Sequence, residues 1–304
     1  MPQLDMPLDG PLDLLATLRP LVRGRGDRTI RVRPGQAWWT VRTRAGPATV
    51  VIRTVPGRLL AEAAGPGAVD ALARVPDLVG AGPDAARPRD LPRGVSRLID
   101  GLARAQPGLR ITRSRAVMDA LVPAILEQKI TGDEARRAWH AMVRALGEDA
   151  PGEQGAGLRV TPAPERVAAL PYHAFHPFGI ERRRADLIRH LAGRAAWVEG
   201  LAEGTATDAA AALQAIPGIG PWTAAEVAVR ALGDADAVSV GDFHLPHLVT
   251  YALAGEPRGD DARMLELLEP FRGRRAIVMR LLESGGPRPP RRGQRMPTRA
   301  IEGI

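Results

Sequence analysis

Residues 213–245 read LQAIPGIGPWTAAEVAVRALGDADAVSVGDFHL. A helix-like run ends at Ile216, and the turn Pro217-Gly218-Ile219-Gly220 follows. A second helix is expected to start near Pro221, because proline suits the first helical position. The glycines let the backbone approach a bulky partner with no Cβ in the way. Amides at the start of the second helix lack intrahelical acceptors and point outward, where a phosphate could accept from them. Roughly twenty residues beyond the turn stands a lone carboxylate, Asp242. The same residues could form a tight helix–helix turn with no ligand, with Asp242 capping the helix that follows.

A second stretch belongs with the first: residues 118–147, MDALVPAILEQKITGDEARRAWHAMVRALG, read as a helix pair. Helices are expected over 117–127 and 132–146, with Thr131 and Glu134 at capping-box spacing. Together the two stretches resemble the helix-hairpin-helix DNA glycosylase superfamily, and most of all its bacterial 3-methyladenine DNA glycosylase II branch. The resemblance covers about residues 8–284.

That resemblance implies a role for each matched position. Gly218, Ile219, Gly220 and Thr223 would hold a DNA phosphate. Asp242 would be the catalytic carboxylate, stabilising oxocarbenium character at the sugar and helping water attack. Gln128 and Lys129 would enter the duplex where the target base has left. The branch has an apolar wedge at the position of Lys129, and a lysine cannot fill a base gap in that way. Trp222 stands where bifunctional members hold a nucleophilic lysine. Indole cannot form a Schiff base, so base release without strand cleavage is expected. Trp222, Phe243 and Glu226 would line the base pocket, an indole face attracting a cationic N-alkylated purine. Glu226 and Arg280 replace aromatic residues of the branch, and Glu226 could pair with Arg280 or with a cationic base.

Composition agrees with a DNA partner without requiring one. The 304 residues carry 42 Lys and Arg against 34 Asp and Glu, a net charge of +8. A basic surface favours polyanions through counterion release. Lysine occurs once, at Lys129, against many arginines, which a GC-rich genome would also produce. Cysteine is absent, which excludes disulfides, thiolate catalysis and the iron–sulfur cluster of the endonuclease III branch. No apolar run reaches the roughly 20 residues of a membrane helix, and residues 1–10 carry no signal-peptide pattern. A cytoplasmic, nucleoid-associated monomer is expected, acting on damaged double-stranded DNA. No cofactor is implied beyond a structural monovalent or divalent cation at the hairpin.

The fold class expected is α+β, mainly α. Residues 1–86 should form a small antiparallel sheet domain, with strands near 29–33, 37–44 and 48–55 flanked by helices near 11–22 and 68–74. Residues 80–93, rich in Pro and Gly, read as a linker. Residues 87–284 should be an all-helical domain. Its further helices are expected near 164–169, 180–192, 208–216, 222–232, 243–254 and 264–283. Residues 285–304 read as a disordered basic tail. Asp234 and Asp236 are weaker catalytic candidates than Asp242. His173 and His176 have metal-like spacing with no third ligand nearby, so ordinary loop histidines are expected. Trp38 and Trp39 should have one ring in the core, and Arg182, Arg183 and Arg184 form a charge run.

Three functions fit these readings. The first is a monofunctional glycosylase for alkylated purines such as 3-methyladenine or 7-methylguanine. The second is a non-catalytic DNA-binding or lesion-sensing protein. The third is a glycosylase for oxidised or deaminated purines.

Overall fold

The computed structural model describes residues 1–82 and 85–290. The chain opens with strand β1 (Gln3–Pro7), helix α1 (Leu14–Leu18) and strands β2 (Ile30–Arg33), β3 (Gln36–Thr43), β4 (Gly46–Val55) and β5 (Arg58–Ala64). These strands form one antiparallel sheet in the order β1-β5-β4-β3-β2. Helices α2 (Ala68–Ala73) and α3 (Val75–Leu78) follow. The period-two alternation puts Ala37, Trp39, Val50, Ile52, Leu59 and Ala63 on one face, where they bury against Leu14, Leu18, Ala71 and Leu72. Trp39 is the inward tryptophan. Trp38 faces the other way, with the guanidinium groups of Arg31 and Arg33 at 5.8 and 5.6 Å from its ring.

Three strands were expected and five are present. Strand β5, RLLAEAA, is built of helix formers and carries no β signal of its own. It is a strand because the two-residue turn after Val55, with Gly57 at φ +71°, folds it back onto β4. Pairing with a formed sheet overrides its local preference.

The remainder is helical: α4 (Arg97–Ala105), α5 (Val117–Leu126), α6 (Gly132–Leu146), α7 (Pro164–Ala169), α8 (Arg182–Ala192), α9 (Ala195–Gly200), α10 (Ala206–Gln214), α11 (Pro221–Val227), α12 (Leu245–Ala254), α13 (Asp261–Leu268) and α14 (Arg275–Gly285). Two-residue strands β6 (Glu148–Asp149) and β7 (Arg159–Val160) interrupt the expected all-helical run. The capping box at Thr131 and Glu134 is formed in both directions. The single helix expected over 264–283 is two helices, because Pro270 and Gly273 (φ +84°) break it. The run 222–232 starts as α11 and widens into a π-turn at Ala228–Leu232, which Gly233 (φ +72°) ends. The tail expected over 285–304 lies outside the described residues from position 291 onward. No helix among the described residues is long and apolar enough to cross a membrane.

The helices bury two separate cores. One joins α5, α6, α8, α10 and α11 around Leu121, Ile125, Phe175 and Val227. The other joins α4, α12, α13 and α14 around Val249, Met264 and Phe271. Arg110 fastens the sheet to the helices. It is 1% exposed, and its guanidinium donates to the carbonyls of Gly80 (3.2 Å), Asp9 (3.1 Å), Gly10 (3.1 Å) and Pro11 (2.9 Å). At the start of α5, Glu199 accepts from the amides of Val117 (3.0 Å) and Met118 (2.8 Å), and burial pushes its carboxyl up to about 7. One turn into α5, burial likewise pushes Asp119 up to about 6.

Candidate active site at the hairpin

Helices α10 and α11 are joined by the Pro217–Gly220 turn. Gly218 sits at φ +98°, which only glycine adopts without strain, and a Cβ there would meet the Leu187 side chain at 3.1 Å. Among the described residues, the amides of Gly218 and Gly220 donate to no protein acceptor. Both glycines are exposed. They are the outward members of the turn. The side chains of Ile219 and Thr223, two further residues expected at the phosphate, point inward. Ile219 is 5% exposed and donates its amide to Ile216 O (3.0 Å), while Thr223 is 2% exposed. Their side chains shape the turn from inside.

Gln128 reaches this turn as well. Its side-chain amide donates to Gly218 O (3.0 Å) and to Thr223 Oγ1 (2.9 Å). The Gln128 loop and the hairpin are thus one unit, with Gln128 folded onto the hairpin. Lys129 is exposed beside it at φ +55°, in the left-handed region. Arg184, buried on α8, donates to Gln128 O (2.5 Å) and faces Glu181 (3.7 Å).

Asp242 is held at three points. Its Oδ1 accepts from the amides of His244 (2.7 Å) and Leu245 (2.8 Å) at the start of α12. Its Oδ2 accepts from the indole Nε1–H of Trp222 on α11 (3.0 Å). The capping role and a site role for this carboxylate are therefore compatible. Capping fixes one oxygen, and the indole fixes the other from the opposite core. The preceding residue is anchored too: Gly241, at φ +92°, donates its amide to Asp261 Oδ2 (2.9 Å). Asp261 was not singled out in the sequence. The only sign of it was a second Asp after Asp260, one more than the cap of α13 needs.

The remaining candidates separate. Phe243 is 78% exposed next to Asp242, its ring edge-on to His244 (5.0 Å) and His247 (6.2 Å). Glu226 is largely buried, paired with Arg230 and accepting from Ser239 Oγ (2.6 Å). The suggested pairing of Glu226 with Arg280 is not formed, because Arg280 pairs with Glu283 (2.5 Å) and donates to Ala16 O (3.0 Å). Asp236 is bound to Arg275 (2.5 Å) and Gly273 N (2.6 Å), and Asp234 caps the amides of Asp236 (2.8 Å) and Ala237 (3.1 Å). Both brace the loop that carries Asp242. His173 and His176 pack edge-on to Tyr172. Among the described residues no group of three or more His, Asp or Glu could hold a metal. At the hairpin the Gly218 carbonyl, a potential ligand for a backbone-held cation, is already engaged by Gln128.

The arrangement combines outward amides, an exposed aromatic ring and a fixed carboxylate on one pair of helix termini. No family model matches the chain. Over 140 residues it is 31% identical to a probable bifunctional transcriptional activator/DNA repair enzyme AlkA of Mycobacterium tuberculosis, covering 46% of this chain and 28% of that one. Over 185 residues it is 28% identical to the DNA-3-methyladenine glycosylase 2 of Escherichia coli, covering 60% of this chain and 63% of that one. The chain thus spans less than two thirds of the length of either relative. Its fold matches the solved 3-methyladenine DNA-glycosylase from Archaeoglobus fulgidus with a TM-score of 0.76 at 19% identity, over 92% of this chain and 97% of that one.

Proposed function

We propose that this chain, which belongs to the helix-hairpin-helix DNA glycosylase superfamily, is a monofunctional DNA glycosylase that hydrolyses the N-glycosidic bond of alkylated purines in double-stranded DNA. The observation that carries the reading is the three-point hold on Asp242 beside the free amides of the hairpin. Those amides and the exposed glycines suit a DNA phosphate. A phosphate anchored there leaves a flipped nucleotide to be presented to Asp242 and the Phe243 ring. An N-alkylated purine carries positive charge and departs as a neutral base, so the sugar needs stabilisation more than the base needs a proton. A fixed carboxylate supplies that stabilisation and orients the attacking water. Base excision would then be complete on release of the base, leaving an abasic site.

The relatives' names support the substrate class, and the indole at Trp222 supports the absence of lyase chemistry. That indole stands next to the carboxylate where a lysine amine would have to attack the sugar. The test is base release from methylated duplex DNA, with strand breaks scored before and after heating and with borohydride trapping. Wild type is expected to release bases, leave heat-labile sites and trap no covalent adduct. Asp242→Asn is expected to lose at least a hundredfold of the rate while binding DNA as before. Full activity in Asp242→Asn, or a trapped adduct, would overturn the reading.

A further inference from the structure

Helix α8 carries four arginines, and three of them are tied to carboxylates. Arg182 pairs with Asp186 (3.4 Å) and lies over the Tyr172 ring (4.6 Å). Arg184 faces Glu181, and Arg189 pairs with Asp186 (3.0 Å). Arg183 has no carboxylate within ion-pair distance among the described residues, and it is exposed. It lies at the rim of a notch of about 160 Å³ walled by Gln128, Arg184, Leu187, Pro217 and Gly218. Two carbonyls bordering this notch are already engaged: Gly218 O accepts from Gln128 and Gln128 O accepts from Arg184. Two donors at this notch have no protein acceptor, the Arg183 guanidinium and the Gly218 amide. Two free donors beside one notch, one of them a full positive charge, suit an anion. The occupant must also be reachable from the outer face of the hairpin, where Pro217 and Gly218 are exposed.

We propose that Arg183 and the Gly218 amide together grip one phosphodiester of the DNA, so that the hairpin holds the backbone from two sides. This rests on the DNA glycosylase reading above. An arginine can offer two N–H donors to one phosphate, where the turn alone offers single amides.

The test compares Arg183→Ala with Arg182→Ala, which removes the same charge from the same helix turn. Duplex affinity is measured across a salt series. Arg183→Ala is expected to weaken binding roughly five- to tenfold at about 0.15 M salt and to lower the log–log salt slope by about one. Arg183→Lys should restore the slope. Arg182→Ala should shift affinity less than twofold. Equal losses in Arg183→Ala and Arg182→Ala would reduce the effect to overall charge and overturn the notch alone. Inorganic phosphate bound to wild type but no loss of duplex affinity in Arg183→Ala would assign the notch to a free anion and also overturn the proposal. Wild type that binds no duplex would overturn the glycosylase reading, and the DNA occupant with it.

Discussion

The indole of Trp222 offers the sharpest test of how the carboxylate works. Asp242 Oδ1 has two amide donors, but Oδ2 has only the Trp222 N–H at 3.0 Å. Trp222→Phe keeps an aromatic face and deletes that one donor. A hydrogen bond to a charged acceptor contributes about 1.5–3 kcal/mol, and both residues are only half-buried, which favours the lower end. About 1.5 kcal/mol corresponds to roughly a tenfold fall in rate, since about 1.4 kcal/mol is a factor of ten. The fall should appear in the single-turnover rate of base release and not in DNA affinity, because the proposed mechanism has the carboxylate act on the sugar and not on the phosphate. Trp222→Leu should lose at least as much. If Trp222→Phe releases bases at the wild-type rate while Trp222→Leu does not, the indole works by its ring face alone and the positioning argument is wrong.

Three other outcomes are expected. The folded Asp119 carboxyl lies near 6 against an ordinary 3.8 because of burial, so its protonation favours the folded state. That contribution is complete below 3.8 and is lost as pH rises through 6. Asp119→Asn should therefore match wild type in urea melts near pH 4 and exceed it by up to about 3 kcal/mol near pH 7.5, two units at about 1.4 kcal/mol each. Gly218→Ala must hold an alanine at φ +98° against Leu187. A cost of about 1–2 kcal/mol in thermal or denaturant unfolding is expected, with a parallel loss of DNA affinity as the turn shifts. Gln128→Ala removes two donors to the hairpin and should lower stability by about 1–2 kcal/mol without DNA present. A residue that served only to enter the duplex would leave the melting curve unchanged.

The sequence was most informative where local chemistry is self-sufficient. The Pro-Gly-Ile-Gly turn, the capping box at Thr131 and Glu134, and the span of α6 depend on neighbours a few residues apart, and all were legible. Strand β5 was not, because only the sheet beside it makes RLLAEAA extended. The break between α13 and α14 was legible in Pro270 and Gly273, but the periodicity on either side outweighed it. Within the site, the line of matched residues named Asp242, Gln128 and Trp222. It could not reveal that Trp222 donates to Asp242, or that Glu226 is consumed by Arg230 and Ser239, since these pairings depend on how two helical cores face each other. Arg183 was one of three identical letters. Only the carboxylates around its neighbours distinguish it.

The bond set of Arg110 also bears on the order in which the protein can be completed during synthesis. A ribosome delivers the sheet first, yet the carbonyls at residues 9–11 and 80 stay without their shared donor until position 110 emerges. Thr17 waits in the same way, since its hydroxyl accepts from the Arg110 amide (3.2 Å). Ala116, which closes the sheet's core from the far side, comes later still. The nascent sheet is thus left open at one end through roughly the first third of translation. It can close only once Arg110 is present to join the segment after the first strand, the end of the sheet's helices and the approach to the helical region.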